Sequence, residues 1–413
     1  MAEWQTVRLG EIVKTNQSTY SPKENWQFVN YLDTGNITMN KIDEIQYINT
    51  AKDKLPSRAR RKVKTNSIIY STVRPNQLHY GIIKEQPDNF LVSTGFTVIE
   101  VNYDKAVPDF IYYALTKQEV TEQLQAIAEQ SVSAYPSLKP SDIENLEFML
   151  PDKKTQERIV AILRSIDEKI KENNAINNNL SKQIKTICTA WLSDYAPFGG
   201  VLPDDWSKTS LSSIADFVSG YSYKGAELTE SNIAMATIKN FDRKGGFKLD
   251  GYKEIVPSGK LKDTQHAELF DTLVAHTDLT QNAEVIGNAE PVMSKSGYSD
   301  IVFSMDLVKV IPKNKHISKF LIAAILQDKK FKAHCLGYVN GTTVLHLSKK
   351  ALSEYQLYLP NELSALKPLD ELVTALYQQI SANIEEITKL EALRDAILPK
   401  LMSGELDVSD IDL

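Results

Sequence analysis

Apolar residues recur at alternating steps of four and three in two long stretches of this chain, one central and one near its end. The first stretch carries Ile159, Leu163, Ile166, Ile170, Asn173, Asn177, Leu180, Ile184, Ile187 and Trp191. The second carries Leu369, Val373, Leu376, Ile380, Asn383, Ile387, Leu390, Ile397 and Leu401, with Arg394 as the one polar break late in it. A spacing of about 3.5 residues, kept over about four heptads or more, predicts two coiled-coil helices. They cover about 153–193 and about 363–402. Asn173 and Asn383 hold the same heptad position. A buried Asn there weakens a helix pair but fixes its register and partner.

The segment leading into each helix is repeated as well. SVSAYPSLKPSDIENLEFMLP, ending at Pro151, and NGTTVLHLSKKALSEYQLYLP, ending at Pro360, share length and pattern. Ser131 falls on Asn340, Leu138 on Leu347, Ile143 on Leu352, and Leu150-Pro151 on Leu359-Pro360. WQTVRLGEIV at Trp4 has the same shape as WSKTSLSSIADFV at Trp206. A period of about half the chain means duplication of whole domains, not a solenoid.

Within each globular half, short apolar runs predict strands. They are Ser67 to Tyr70, Phe96 to Val101 and Leu146 to Leu150 in the first half. Leu269 to Ala275 and Leu307 to Ile311 mirror two of them in the second. Helices are predicted over Asp109 to Glu129, with Ile111, Leu115, Val120, Leu124 and Ile127 on its apolar face, and over Lys319 to His334. This mixture predicts an α+β fold. Ala196-Pro197-Phe198-Gly199-Gly200 is a breaker-rich linker. The expected domains are a first globular domain over 1–151 and a central spacer helix over 152–195. A second globular domain follows over 196–360, then a C-terminal helix with an acidic tail over 361–413.

At 413 residues the chain is long enough for two or more domains. Its net charge of -6 argues mildly against a nucleic-acid partner, but the charge is unevenly spread. Lys52, Lys54, Arg58, Arg60, Arg61, Lys62 and Lys64 crowd one short run against a single Asp53. Glu405, Asp407, Asp410 and Asp412 crowd the tail. A local basic cluster in an acidic chain is the footprint of a polyanion site. The competing reading is a solvated loop that only aids solubility.

The run LPDKKTQERIVAILRSIDEKI (150–170) resembles the central segment of the specificity subunits of Type I restriction–modification systems. IIYSTVRPNQ (68–77), GYSYKGAEL (220–228) and LVAHTDLTQNAEVIGNA (273–289) resemble parts of that family's two target recognition domains. One departure is visible. The family's usual Gly-Asp before the third block's strand-like run is Asn66-Ser67 in one copy and Phe270-Asp271 in the other. The resemblance implies two tandem target recognition domains, with two long antiparallel helices giving pseudo-twofold symmetry. Each domain would read half of a bipartite double-stranded DNA target. The helices would set the spacing and dock methyltransferase subunits, two copies by symmetry, with restriction subunits joining through the complex. Such a protein serves DNA methylation and defence against foreign DNA in the cytoplasm.

On this reading Arg58, Arg60, Arg61, Lys62 and Lys64 neutralise phosphates, which carries no sequence information. Arg74, Asn76 and Gln77 follow a strand in a turn stiffened by Pro75 and suit base edges. His276, Thr277, Gln281 and Asn282 occupy the comparable place in the second half. Tyr223 and Lys224 are expected to form a second contact loop. Ile162, Ile176, Leu366, Leu372 and Leu393 lie off the heptad seams and are expected to receive the partner helices.

Catalytic motifs are missing from the sequence. It has no Asn-Pro-Pro-Tyr or Asp-Pro-Pro-Tyr loop, no glycine-rich methyl-donor site, no Gly-x-x-x-x-Gly-Lys loop and no Glu-x-Lys tripeptide. The six histidines never sit at metal-ligand spacing with cysteine or carboxylates, and a His276–Asp278 dyad is a weak candidate. No catalytic residue, metal or cofactor is therefore expected. The longest apolar run, FLIAAIL (320–326), is too short to span a bilayer, and the N-terminus lacks a signal-peptide pattern. Cys188 and Cys335 suit a reducing compartment. The alternative is a stand-alone two-domain DNA-binding regulator with a coiled-coil spacer. The outer faces of its helices would be charged.

Overall fold

The computed structural model describes residues 4–131, 136–348, 350–409 and 411. Residues 132–135 and 349 of the aligned repeat segments, and Asp410 and Asp412 of the tail, lie outside the described residues. The chain forms two compact units: Met1–Glu168 with Glu391–Leu413, and Lys169–Leu390. Each contains one globular α+β part and a length of both long helices.

The duplication read from the sequence extends to strand order. In the first unit Gln5–Arg8 pairs antiparallel with Glu147–Leu150. In the second, Trp206–Ser210 pairs antiparallel with Gln356–Pro360. The first unit then builds a sheet in the order Val13–Thr15, Phe96–Val101, Ile68–Ser71, Tyr80–Ile82. The second builds Ala215–Ser219, Leu307–Pro312, Thr272–Ala275, Ala289–Pro291 in the same order. Each unit also holds one parallel pair: Phe28–Leu32 with Phe90–Ser93, and Ile233–Ala236 with Asp300–Phe303. The strands in the central sheets are buried almost throughout, as their near-continuous apolar sequences require.

The single helices expected after these sheets are each two. Pro108–Leu115 and Gln118–Glu129 break at Thr116-Lys117, and Lys319–Leu326 and Lys329–Leu336 break at Gln327-Asp328. Asp328 supplies an N-cap by accepting from the Lys330 N–H at 2.7 Å. Lys117 has no capping side chain, but its extended backbone stops the helix just as sharply. The expected face survives the break, with Ile111, Leu115, Val120 and Leu124 buried and Ile127 packed at its edge.

Where the sequence carries Asn66-Ser67 and Phe270-Asp271, Asn66 and Phe270 both hold a φ of 68°. This left-handed backbone costs a side-chain-bearing residue strain that glycine avoids. The turn is therefore the same in both copies without a glycine in either.

The long helices run over Lys153–Leu192 and Lys367–Ser403. The second starts later than the heptad alone predicts, because Leu363–Leu366 is a tighter 3-10 turn. Pro368 then sits in the first helical turn, where its missing N–H costs nothing. In the first unit Ile159 and Leu163 share a core with Leu401 and Met402. In the second, Ile184 and Cys188 share one with Leu369, Val373 and Ile380. A fully buried leucine contributes about 1.5–3 kcal/mol. Burial pushes the Cys188 and Cys335 thiols up to about 12, so both are unreactive core groups.

The two heptad asparagines are buried, Asn173 at 2% exposure and Asn383 at 6%. Asn173 donates to Glu386 Oε2 at 2.9 Å, and Asn383 donates to Asn177 Oδ1 at 2.8 Å. Partner numbers fall on one helix as they rise on the other, so the helices pair antiparallel in this unit. In the first unit Arg394, the polar break in the heptad, donates to Asp167 at 3.1 Å. Asp167 in turn accepts from the Tyr113 hydroxyl at 2.7 Å, tying the helix pair to the globular part.

Candidate nucleic-acid interface

The basic run forms Ala59–Lys62, the edge strand of a sheet ordered Gln46–Asn49, Phe28–Leu32, Phe90–Ser93, Ala59–Lys62. An edge strand loaded with charge is protected from pairing with other chains, and this one also gathers cations. The cations are not equivalent. Lys62 pairs with Glu24 and lies over the Trp26 ring, 5.1 Å from its centroid. That hydrogen bond holds the Glu24 carboxyl below its ordinary range. Lys64 pairs with Glu100 at 3.1 Å. Arg61 is half-buried, its Nε has no hydrogen-bond partner among the described residues, and burial lowers its pKa. Arg58 is exposed and Arg60 half-buried, and neither forms an ion pair among the described residues. Arg58 and Arg60 thus carry charge that no carboxylate among the described residues takes up.

Arg74, Asn76 and Gln77 are all exposed, on the turn that follows Ile68–Ser71. Two left-handed residues, Arg74 at φ 50° and Leu78 at φ 57°, frame the short helix Pro75–Gln77. The Arg74 N–H donates to the Pro136 carbonyl at 3.1 Å, and the Asn76 N–H to Gln125 Oε1 at 3.2 Å. The backbone is pinned from two sides, and the Asn76 and Gln77 side chains form no hydrogen bond among the described residues. Polar groups on a fixed turn suit selective contact, because little order is lost on binding.

The equivalent turn of the second unit follows Thr272–Ala275. His276 is half-buried, while Gln281 and Asn282 are exposed. Gln281 donates to the Thr342 carbonyl at 2.6 Å, which fastens this turn to the loop at 341–343. Thr277 does not fit its expected role. It is buried, pairs with His346 in a small sheet and donates to Asp306 at 3.1 Å, so its hydroxyl is taken up by the fold. Asp278 is buried, and its carboxylate is bonded to its own loop. Burial raises its pKa, but hydrogen bonds from Thr280, Val285 and Ile286 outweigh this and hold it below its ordinary range.

Lys224 is exposed, whereas Tyr223 is half-buried against Tyr221, Met235, Ile255 and Val302. Their loop is organised by Glu227, a buried carboxylate that the sequence did not single out. It accepts from the Tyr221 hydroxyl at 2.9 Å, the Lys224 N–H at 2.6 Å and the Ser258 N–H at 2.7 Å, and also from the Ser258 hydroxyl. These bonds, the Ser258 hydroxyl foremost, lower its pKa to about 2.

The off-seam apolar residues divide. Ile176, Leu372 and Leu393 are 39%, 43% and 49% exposed. Ile162 is half-buried against the first unit's core. Leu366 is completely buried, a correction to the expected docking set. It belongs to the 3-10 turn before the helix, which turns it into the second unit's core. Among the described residues no cluster of three or more His, Cys, Asp or Glu could hold a metal ion. No described helix is long and apolar enough to cross a membrane.

Residues 1–182 match the family model of the Type I restriction modification DNA specificity domain. The chain is 24% identical to the HindI specificity subunit of Haemophilus influenzae, over 98% of this chain and 100% of that protein. It is 22% identical to the MjaIX specificity subunit of Methanocaldococcus jannaschii, over 80% of this chain and 76% of that one. A solved Type I restriction–modification S subunit from M. genitalium shares its fold, with a TM-score of 0.58 at 17% identity over 97% of this chain and 96% of that one. The resemblance to Type I restriction–modification specificity subunits therefore holds, over the family model in the first 182 residues and over nearly the whole chain in the HindI relative.

Proposed function

We propose that this chain is the DNA-recognition subunit of a Type I restriction–modification complex. Each globular part reads one half of a bipartite duplex target. The observation that carries this reading is the duplication of one sheet order, with an exposed polar turn after the same strand in both units. One chain thus offers two reading heads of like geometry and unlike side chains. Arg74, Asn76 and Gln77 supply base contacts from the first, and His276, Gln281 and Asn282 from the second. Lys224 gives a further contact. Arg58, with the paired Lys62 and Lys64, faces phosphates. Chemistry comes from partner subunits: two methyltransferase copies docking on the helices at Ile176, Leu372 and Leu393, and restriction subunits joining through the complex.

The expected domains at 1–151, 152–195, 196–360 and 361–413 fit this division of labour, with the helices as spacer. A helix of 40 residues is about 60 Å long at 1.5 Å per residue, more than one turn of B-DNA. Co-expression with the neighbouring methyltransferase genes, followed by mapping of methylated bases, tests the reading. A split motif supports it. Absence of any motif in an active complex refutes it.

A further inference from the structure

A cavity of about 370 Å³ adjoins the first unit's basic strand, lined by Tyr20, Trp26, Asn25, Asp53 and Arg60 among others. It is of a size that holds small ligands, roughly 300–1,000 Å³ in general. Its aromatic wall is preformed. The Tyr20 and Trp26 rings touch with centroids 4.7 Å apart, and both pack on the small core around Val29, Tyr31 and Leu91. The wall is fastened to the basic strand, since the Tyr20 N–H donates to the Arg60 carbonyl at 2.7 Å and Thr19 bridges to Arg61. Lys62 covers Trp26 from outside the lining.

Three polar side chains around this wall are unspent, while the Thr50 hydroxyl donates to the Trp26 carbonyl. The side chains of Asn25, Asp53 and Arg60 form no hydrogen bond or ion pair among the described residues. A carboxylate and a guanidinium that line one cavity without pairing offer an acceptor and a donor fork to a third party. The half-buried Trp26 indole beside them suits a flat ring, and base–aromatic stacking is worth about 1–3 kcal/mol.

We propose that this cavity binds an unstacked nucleobase, guanine above the others. Guanine carries N1–H and N2–H donors for Asp53, and its O6 and N7 acceptors suit the Arg60 fork. Adenine and cytosine lack one half of that match, and thymine offers a single donor. The base comes from a DNA strand, because the cavity sits beside the basic edge strand. This choice of source rests on the DNA-recognition reading above.

Calorimetric titration of the full chain with GMP, AMP, CMP, TMP and inorganic phosphate tests the proposal. GMP is expected to bind at least tenfold more tightly than the other nucleotides. Asp53→Asn should erase that preference, and Trp26→Leu should erase nucleotide binding, with far-ultraviolet circular dichroism unchanged. Equal binding of all four nucleotides, or full displacement of GMP by phosphate, overturns the proposal and leaves a plain anion site. GMP binding unaltered in both variants overturns it too. A second arm compares a fully paired duplex with one carrying a single unpaired guanine. Tighter binding of the latter, lost in Trp26→Leu, identifies DNA as the source. GMP selectivity without that difference keeps the site but assigns it to a free guanine nucleotide. Failure of the wild-type chain to bind any duplex counts against the DNA reading, while the GMP titration still reports on the cavity.

Discussion

Asn383 donates its side-chain amide to Asn177 Oδ1 at 2.8 Å, one long helix to the other, inside the second unit. Asn383 is buried, and its partner half-buried. An amide pair in a helix seam stabilises less than leucine, but it is lost if either helix slides by a heptad. The double replacement Asn177→Leu and Asn383→Leu should therefore raise unfolding stability in urea by about 1 kcal/mol or more. The single Asn383→Leu should lower it or leave it level, because Asn177 loses its partner. A double variant less stable than wild type would mean that the amide pair contributes net stability.

Arg394 and Asp167 form the matching polar tie in the first unit. The guanidinium is raised above its ordinary pKa despite burial, because Asp167 and Asp395 hold the charge. Arg394→Met leaves Asp167 half-buried, with the Tyr113 hydroxyl as its remaining hydrogen-bond donor among the described residues. A loss of about 1–3 kcal/mol is expected in denaturant unfolding, between the ranges for exposed and buried pairs. Asp167→Leu added to Arg394→Met should recover part of it. No recovery would show that Asp167 was not the cause.

Glu227 makes the second unit acid-sensitive. Its folded pKa of about 2 lies below the ordinary 4.5, so its contribution is fully present above about pH 4.5 and is lost as pH falls toward 2. Glu227→Gln should weaken the unit at neutral pH and flatten its melting temperature over that acid window. A profile as steep as wild type would assign the acid sensitivity to other carboxylates.

DNA contacts should separate by salt. Arg58→Ala should weaken binding to every duplex and reduce the slope of log affinity against log salt by about 1. Lys62→Ala and Lys64→Ala should do less, since Glu24 and Glu100 already neutralise them. Arg74→Ala should relax one base position by about 1–3 kcal/mol and leave the others intact. Equal loss on all duplexes would make Arg74 a phosphate contact.

The sequence made the helices and the duplication legible because both are periodic. A 3.5-residue seam from Ile159 to Trp191 has one structural meaning, and a repeated Leu-Pro has one place in the chain. The Gln327-Asp328 break was readable from Asp328, a standard cap, but Thr116-Lys117 offered no such signal. The parallel partners Phe28–Leu32 and Phe90–Ser93 stayed hidden because their pairing spans a long, irregular stretch of chain. Thr277 looked like a free polar turn residue, because nothing local announces that Asp306 and His346 will enclose it. The Tyr20–Trp26 cavity was illegible for the same reason: its wall and its charges come from three separate segments.

Spacer length tests the central claim most directly. One heptad would be inserted into each long helix at matched positions within the second unit, and the chain expressed with its methyltransferase partner. Mapping of methylated bases should then show a longer gap between two unchanged half-sites. An unchanged gap, from a complex that still methylates, would contradict the account.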